Sequence, residues 1–157
     1  MDYQLQTLKD KVESEGSKVT VSGHITKELL NEQLFYAFTT KNNFKLDRNI
    51  LRLERVSHRD VSIGFKRIQK KLLADRNTRK AVFISYHCVS AIQCLVRNED
   101  LYCNVFFRSS NVEHLETDLH TIASELLKLK EFLNLKVVIL SVFISSSHVI
   151  KNARNKY

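Results

Sequence analysis

A chain of 157 residues, 43% of them hydrophobic and 27% charged, has the size and balance of one folded domain; disorder, collagen-like repeats and coiled coils are excluded. Its formal charge of +8 favours anionic partners: a phosphorylated metabolite, nucleic acid or an acidic protein. Glycine occurs only at 16, 23 and 64, so no glycine-rich phosphate loop can be built, and P-loop and Rossmann chemistries are excluded.

No apolar run approaches the ~18–20 residues of a membrane helix. The opening MDYQLQTLKD lacks the basic-then-apolar grammar of a signal peptide, so the expectation is a soluble, cytoplasmic protein without a membrane partner. Cys88, Cys94 and Cys103 are odd in number and crowded together, which argues for reduced thiols rather than a disulfide framework.

Taken in chain order, Leu5, Leu8 and Val12 sit at helical spacing over 2–13, ended by Glu15-Gly16-Ser17. KVTVSGHIT alternates as a strand does. Thr26 as N-cap, Glu28 in the first turn and Leu30, Leu34 and Phe38 on one face predict a helix over 27–39. Thr39 to Arg48 reads as a loop, and 51–56 as a strand. Phe65, Ile68 and Leu72 restore helical spacing in a basic amphipathic helix over 62–74.

AVFIS, CVSAIQCLV and LYCNVFF follow as β-rich runs, the last two joined by the turn RNED and so expected to be antiparallel neighbours. From Asp118 the positions Leu119, Ile122, Ala123, Leu126, Leu129 and Leu133 trace a buried helical stripe, with Thr117 as N-cap. KVVILSVFIS is almost continuously apolar, which predicts a strand covered on both faces. The class is α+β: a mixed β-sheet with packed helices, in a single domain over 1–157.

Four polar clusters sit where these elements end. Arg76 to Lys80 offers cations whose guanidinium forks match phosphate oxygens, or is simply a charged turn. Cys88, preceded by His87, becomes a nucleophile if cations such as Arg79 and Arg108 lower its pKa; otherwise it is a small hydrophobe of the core. Arg108-Ser109-Ser110-Asn111 can take phosphate oxygens, with Asn111 orienting a base or the loop, or can be an ordinary Ser/Asn turn. In Ser145-Ser146-Ser147-His148 the hydroxyls and imidazole suit a sugar, and equally a polar strand terminus. The cysteine spacings fit no zinc pattern, so no metal is expected.

The segment CVSAIQCLVRNEDLYCNVFFRSSNV resembles the nucleophile-to-phosphate stretch of thymidylate synthases and the related deoxycytidylate hydroxymethylases. In that family a catalytic Cys is followed by a Gln-containing strand, a turn, a second strand and an R-S-x-D signature; Cys88, Gln93, Arg108 and Ser109 fall in register without a gap. QKKLLADRNTRKAVFIS looks like the family's approach to its paired basic residues, with Arg79 and Lys80 at those positions. SSSHVI resembles its H-x-Y motif, with Ile150 in place of the tyrosine. The likeness spans roughly residues 66–150.

The resemblance implies a thymidylate-synthase-like fold and a homodimer that modifies C5 of a pyrimidine deoxynucleotide monophosphate. Cys88 would be the catalytic nucleophile, and methylenetetrahydrofolate the one-carbon donor. Arg108 and Ser109, with Arg79 and Lys80 from the partner subunit, would hold the phosphate. Asp118, near the family's base-reading position, and Asn111 would read the base, with a tilt towards dCMP; His148 would contact the sugar. The chain departs from the family at Asn111 (Asp), at His87 (Pro) and in its short Arg79-to-Cys88 interval, and its sole candidate for the family's water-organising acid is Glu28 in KELL. The alternative is a scaffold that has lost the reaction and uses its charge to bind nucleic acid or a protein assembly.

Overall fold

The computed structural model describes residues 2–21, 24–28, 36–41 and 56–150. In chain order the elements are α1 (Asp2–Glu15), β1 (Ser17–Val21), β2 (His24–Glu28), β3 (Tyr36–Lys41), α2 (Val56–Ala74), β4 (Val82–Ile84), β5 (Val89–Arg97), β6 (Asp100–Phe107), β7 (Ser110–Asn111), α3 (Leu115–Phe132), β8 (Val137–Ile144) and β9 (Ser147–Ile150). The class is α+β, as the alternation of runs predicts. The strands form a five-stranded sheet, ordered β3-β8-β6-β5-β4, and a four-stranded sheet, ordered β1-β2-β9-β7.

Strict alternation builds the larger sheet. Ile92, Cys94 and Val96 on β5, Leu101, Cys103, Val105 and Phe107 on β6, and Val138, Leu140, Val142 and Ile144 on β8 are all buried, while their neighbours in sequence are not. That buried face meets the apolar stripes of α2 (Val61, Phe65, Ile68, Leu72) and α3 (Leu115, Leu119, Ile122, Leu126, Leu129) in one core. Leu8 and Val12 of α1 join the same core beside Val149.

The β5–β6 hairpin turns at Asn98 and Glu99, with Arg97 opposite Asp100 and Asn98 at φ 55°, a left-handed conformation that asparagine tolerates better than most residues. β6 and β8 are parallel and therefore need a crossover, which α3 supplies. Helix α3 ends in a Schellman turn: Leu135 N–H donates to the Lys130 carbonyl at 2.9 Å and Asn134 N–H to that of Glu131 at 3.1 Å, with Asn134 at φ 54°.

Several expectations need correction. Residues 27–28 close β2 and 36–41 form β3, where a helix over 27–39 is predicted; 29–35 lie outside the described residues. Leu30, Leu34 and Phe38 mimic a helical stripe, but Tyr36–Lys41 is held by antiparallel pairing with β8, a partner about a hundred residues away that local spacing cannot reveal. The predicted loop over 39–48 therefore begins inside a strand, its remainder lying outside the described residues, as do 51–55 of the predicted strand; Val56 already opens α2.

KVTVSGHIT is a hairpin rather than one strand, β1 folding onto β2 with Val21 opposite His24. Thr26 is no N-cap: it lies in β2 and its hydroxyl donates to the Val19 carbonyl at 3.2 Å. Helix α3 likewise starts before Thr117, with His114 as N-cap and no side-chain cap, while Glu116 and Asp118 in its first turn offset the dipole. Finally, β8 is buried on one face only, since Phe143 on the other is 48% exposed.

Candidate active site at the seam between the sheets

Two connections cross from the larger sheet to the smaller side by side. One is Arg108-Ser109 between β6 and β7, and the other is Ser145-Ser146 between β8 and β9. They are stitched together: Ser145 N–H donates to the Phe107 carbonyl at 2.9 Å and Ser110 N–H to that of Ser146 at 2.8 Å. The parallel register carries on through the seam, with Ser110 beside Ser147 and Asn111 beside His148. Because β6 and β8 run the same way, their polar C-terminal extensions fall at one edge, and antiparallel β5 brings its N-terminal end, with Cys88, to that same edge.

The loop that presents Cys88 is tied from three sides. Within it, His87 N–H donates to Ser85 Oγ at 3.0 Å and Ser90 Oγ donates to the His87 carbonyl at 2.8 Å. From β6, Arg108 donates twice, its backbone N–H to the Cys88 carbonyl at 3.0 Å and its Nε to the Tyr86 carbonyl at 3.1 Å. From α2, Asp60 Oδ2 lies 2.7 Å from His87 Nε2. The Cys88 thiol is half-buried and free, and Tyr86 beside it is almost fully exposed. Among the described residues Arg108 meets no carboxylate, so its terminal guanidinium nitrogens remain for an anion.

Beyond Arg108 the polar groups continue. Ser109 Oγ and His148 Nδ1 are 3.3 Å apart. His148 stands opposite Glu28 in the β2–β9 register, and Ser146 Oγ donates to Glu28 Oε1. Burial holds the His148 pKa below its usual value, with the Glu28 carboxylate pulling the other way. Neutral imidazole is therefore the resting form, able both to donate and to accept.

Of the other candidate residues, Arg79 and Lys80 lie elsewhere. Arg79 and Lys80 precede β4, at the far end of the hairpin-like β4–β5 pair. The carbonyl of Arg79 accepts from Gln93 Nε2 at 3.0 Å, and that of Lys80 from Lys71 Nζ at 3.0 Å. Gln93 is five residues along the strand from Cys88, about 16 Å at ~3.3 Å per residue. Within one chain the structure does not bring the paired basic residues to the thiol. Asn111 serves its loop, its side-chain oxygen accepting from Glu113 N–H at 3.1 Å. Asp118 is buried in the first turn of α3, its N–H donating to the His114 carbonyl at 3.1 Å.

Cys94 and Cys103 are cross-strand partners, fully buried and free, and burial above all pushes the Cys103 thiol well up. Both belong to the core, which leaves Cys88 as the accessible thiol among the three.

Sequence reasoning passes over Asp60, places Ser146 only within a polar strand-end cluster, and gives Glu28 only a faint signal. Ser146 and Glu28 are 118 positions apart, and only the β2–β9 register joins them. Asp60 sits in the first turns of a helix expected to begin at 62, and it turns His87 into a tether. Among the described residues no group of His, Cys, Asp and Glu side chains is placed to hold a metal ion, and no helix is long and apolar enough to cross a membrane. Neither a protein-family model nor a curated protein matches the chain.

Proposed function

We propose that the chain binds a pyrimidine deoxynucleotide monophosphate at the seam and modifies its ring at C5, as its resemblance to thymidylate synthases and deoxycytidylate hydroxymethylases implies. The observation that carries this reading is the convergence of a half-buried thiol, an arginine that meets no carboxylate among the described residues and the Ser109–His148 pair on one sheet edge. Arg108 and Ser109 take the 5′-phosphate, and His148 the sugar hydroxyl.

Fixed in this way, the ring presents C6 to the Cys88 thiolate. Addition forms the S–C6 bond and moves the ring electrons onto C5, where methylenetetrahydrofolate, when bound, would supply a one-carbon unit whose two carbon–nitrogen bonds to the folate are both broken in the course of the transfer. Loss of the C5 proton would release the remaining folate nitrogen, and either a hydride from the tetrahydrofolate (giving a methyl group and dihydrofolate) or a water molecule (giving a hydroxymethyl group and tetrahydrofolate) would add to the one-carbon unit as the thiolate leaves C6 and the ring double bond returns. Glu28, beside Ser146 and His148, is the residue of the seam suited to handling these protons. Arg79 and Lys80 contribute from a second copy, since they stand away from the thiol of their own chain. The setting is cytoplasmic, where Cys94 and Cys103 stay reduced.

A second reading, an inactive scaffold that engages nucleic acid or an assembly, draws on the exposed Tyr86 beside the site and on the +8 charge. Calorimetric titration with dUMP, dCMP and a single-stranded oligonucleotide separates the two. Micromolar binding of one monophosphate, weakened by about 2–4 kcal/mol in Arg108→Ala, is the expected result. C5 tritium release that Cys88→Ala abolishes completes the enzyme case. Binding only to the oligonucleotide, with a steep salt dependence, replaces it with the scaffold reading.

A further inference from the structure

Helix α2 buries Val61, Phe65, Ile68 and Leu72, and its opposite stripe carries Arg59, Ile63, Lys66 and Lys70 at i, i+4, i+7 and i+11, with Arg67 on the flank; all five are exposed. Two other charged side chains of the helix turn aside. Asp60, its one acid, meets His87, and Lys71 Nζ donates to the Lys80 carbonyl. Among the described residues Arg59, Lys66, Arg67 and Lys70 meet no carboxylate. A groove of about 200 Å³ separates α2 from α3, with Ser62, Lys66 and Gln69 on one wall and Glu125 and Lys128 on the other. Glu125 Oε1 lies 3.5 Å from Lys128 Nζ, so the groove keeps one net positive charge, and Ser62 and Gln69 add uncharged donors.

We infer that the outer face of α2, with the groove beside it, binds the phosphate backbone of duplex DNA. Lys66 and Lys70 are like charges one turn apart, which repel each other until an anion lies between them. From Arg59 to Lys70 the row runs about 16 Å at ~1.5 Å per residue, close to five base-pair steps of ~3.4 Å. An acidic protein would need carboxylates at this same repeat, whereas a duplex presents phosphates at every step and in any register.

The other polyanions fit less well. A bilayer and a single strand both take hold through aromatic rings, at the lipid interface or stacked on bases, and α2 exposes none at its described positions. The exposed ring of Phe132 is the last residue of α3, level with the end of α2, where Arg76 Nη1 reaches the Leu133 carbonyl. The ~12 Å major groove of B-form DNA admits a helix face, and that of an RNA duplex does not. This surface shares no residue with the seam, so it stands apart from the nucleotide reading.

Fluorescence anisotropy of the full chain titrated into a labelled DNA duplex tests it. Four phosphate contacts give log K a slope of about −3.6 against log salt, a loss of about 150-fold between 50 and 200 mM. Lys66→Ala combined with Lys70→Ala should halve that slope and weaken binding at the lower salt by more than about tenfold, with Tm and the monophosphate titration unchanged. Lys9→Ala combined with Lys18→Ala, on α1 and β1, removes the same net charge and should leave the duplex curve within about twofold. No duplex binding at low salt, equal losses in the two double variants, or tighter binding to the single strand, to duplex RNA or to phosphatidylglycerol vesicles would overturn the inference.

Discussion

Gly64 lies on the buried side of α2, and a methyl group added there would come within 2.5 Å of Phe83 Cγ and 2.6 and 2.7 Å of its two Cδ atoms. In an exposed helix Gly→Ala gains about 1 kcal/mol by limiting the unfolded chain. Here the contact falls at the base of the ring, which turning the ring about its own axis cannot clear, and carbon atoms need about 3.5 Å. Phe83 and β4 must therefore retreat by about 1 Å, and overpacking of this kind costs ~1–3 kcal/mol.

The clash outweighs the propensity gain, and Gly64→Ala should destabilise the domain by about 1–2 kcal/mol, or ~2–8 °C in Tm for a chain of this length. Urea unfolding followed by circular dichroism measures it, with an unchanged slope expected. Phe83→Val removes the ring, so in that background the alanine should cost nothing or stabilise, giving a coupling of at least ~1 kcal/mol. Phe83 also sits two residues before Ser85, so its retreat should alter the alkylation rate of Cys88. An alanine variant as stable as the parent would refute this packing.

In the native protein iodoacetamide should add once, at Cys88, and reach Cys94 and Cys103 only after unfolding; mass spectrometry of the tryptic peptides decides. Asp60→Asn removes one charge of a partly exposed pair, so stability should change by less than ~1 kcal/mol, while the Cys88 alkylation rate shifts several-fold as its loop is released; an unchanged rate would show that the His87 contact positions nothing. For His148 the folded-state pKa lies below 6.5, so as pH falls through ~6.5 the unfolded chain takes up a proton that the folded chain does not. The stability contribution is present above that pH and is lost below it. His148→Gln should flatten the fall of Tm between pH 7 and 5.5 relative to the parent, and parallel curves would contradict the assignment.

What could be read from the sequence was local. The β5–β6 hairpin announces itself through two β-rich runs around RNED, and α3 through apolar positions that keep one face over five turns. Tyr36–Lys41 fails for the opposite reason: its strand character comes from β8, and Phe38 happens to continue a helical spacing from Leu30 and Leu34. At the site, Cys88, Arg108, Ser109 and His148 are each recognisable as polar groups at strand ends. That they share one edge depends on the parallel β6–β8 pairing, which spacing does not encode. Arg79 and Lys80 stand apart from this edge in their own chain, a placement that spacing does not reveal, because a basic pair beside a strand looks the same whichever end of the sheet it occupies. Glu28 needs both a hairpin and a long-range register before it meets Ser146 and His148.

The side-by-side crossing of the two connections also sets an order of assembly. The β5–β6 hairpin closes over a short loop and can form early, whereas the edge that gathers Cys88, Arg108 and His148 waits until α3 is laid down and β8 docks in parallel beside β6. During synthesis the hairpin would leave the ribosome with the Cys88 thiol and Arg108 guanidinium beside each other but without the Ser146 and His148 side of the seam. The polar edge is thus complete only when folding is, closed by the last strand to emerge among those described.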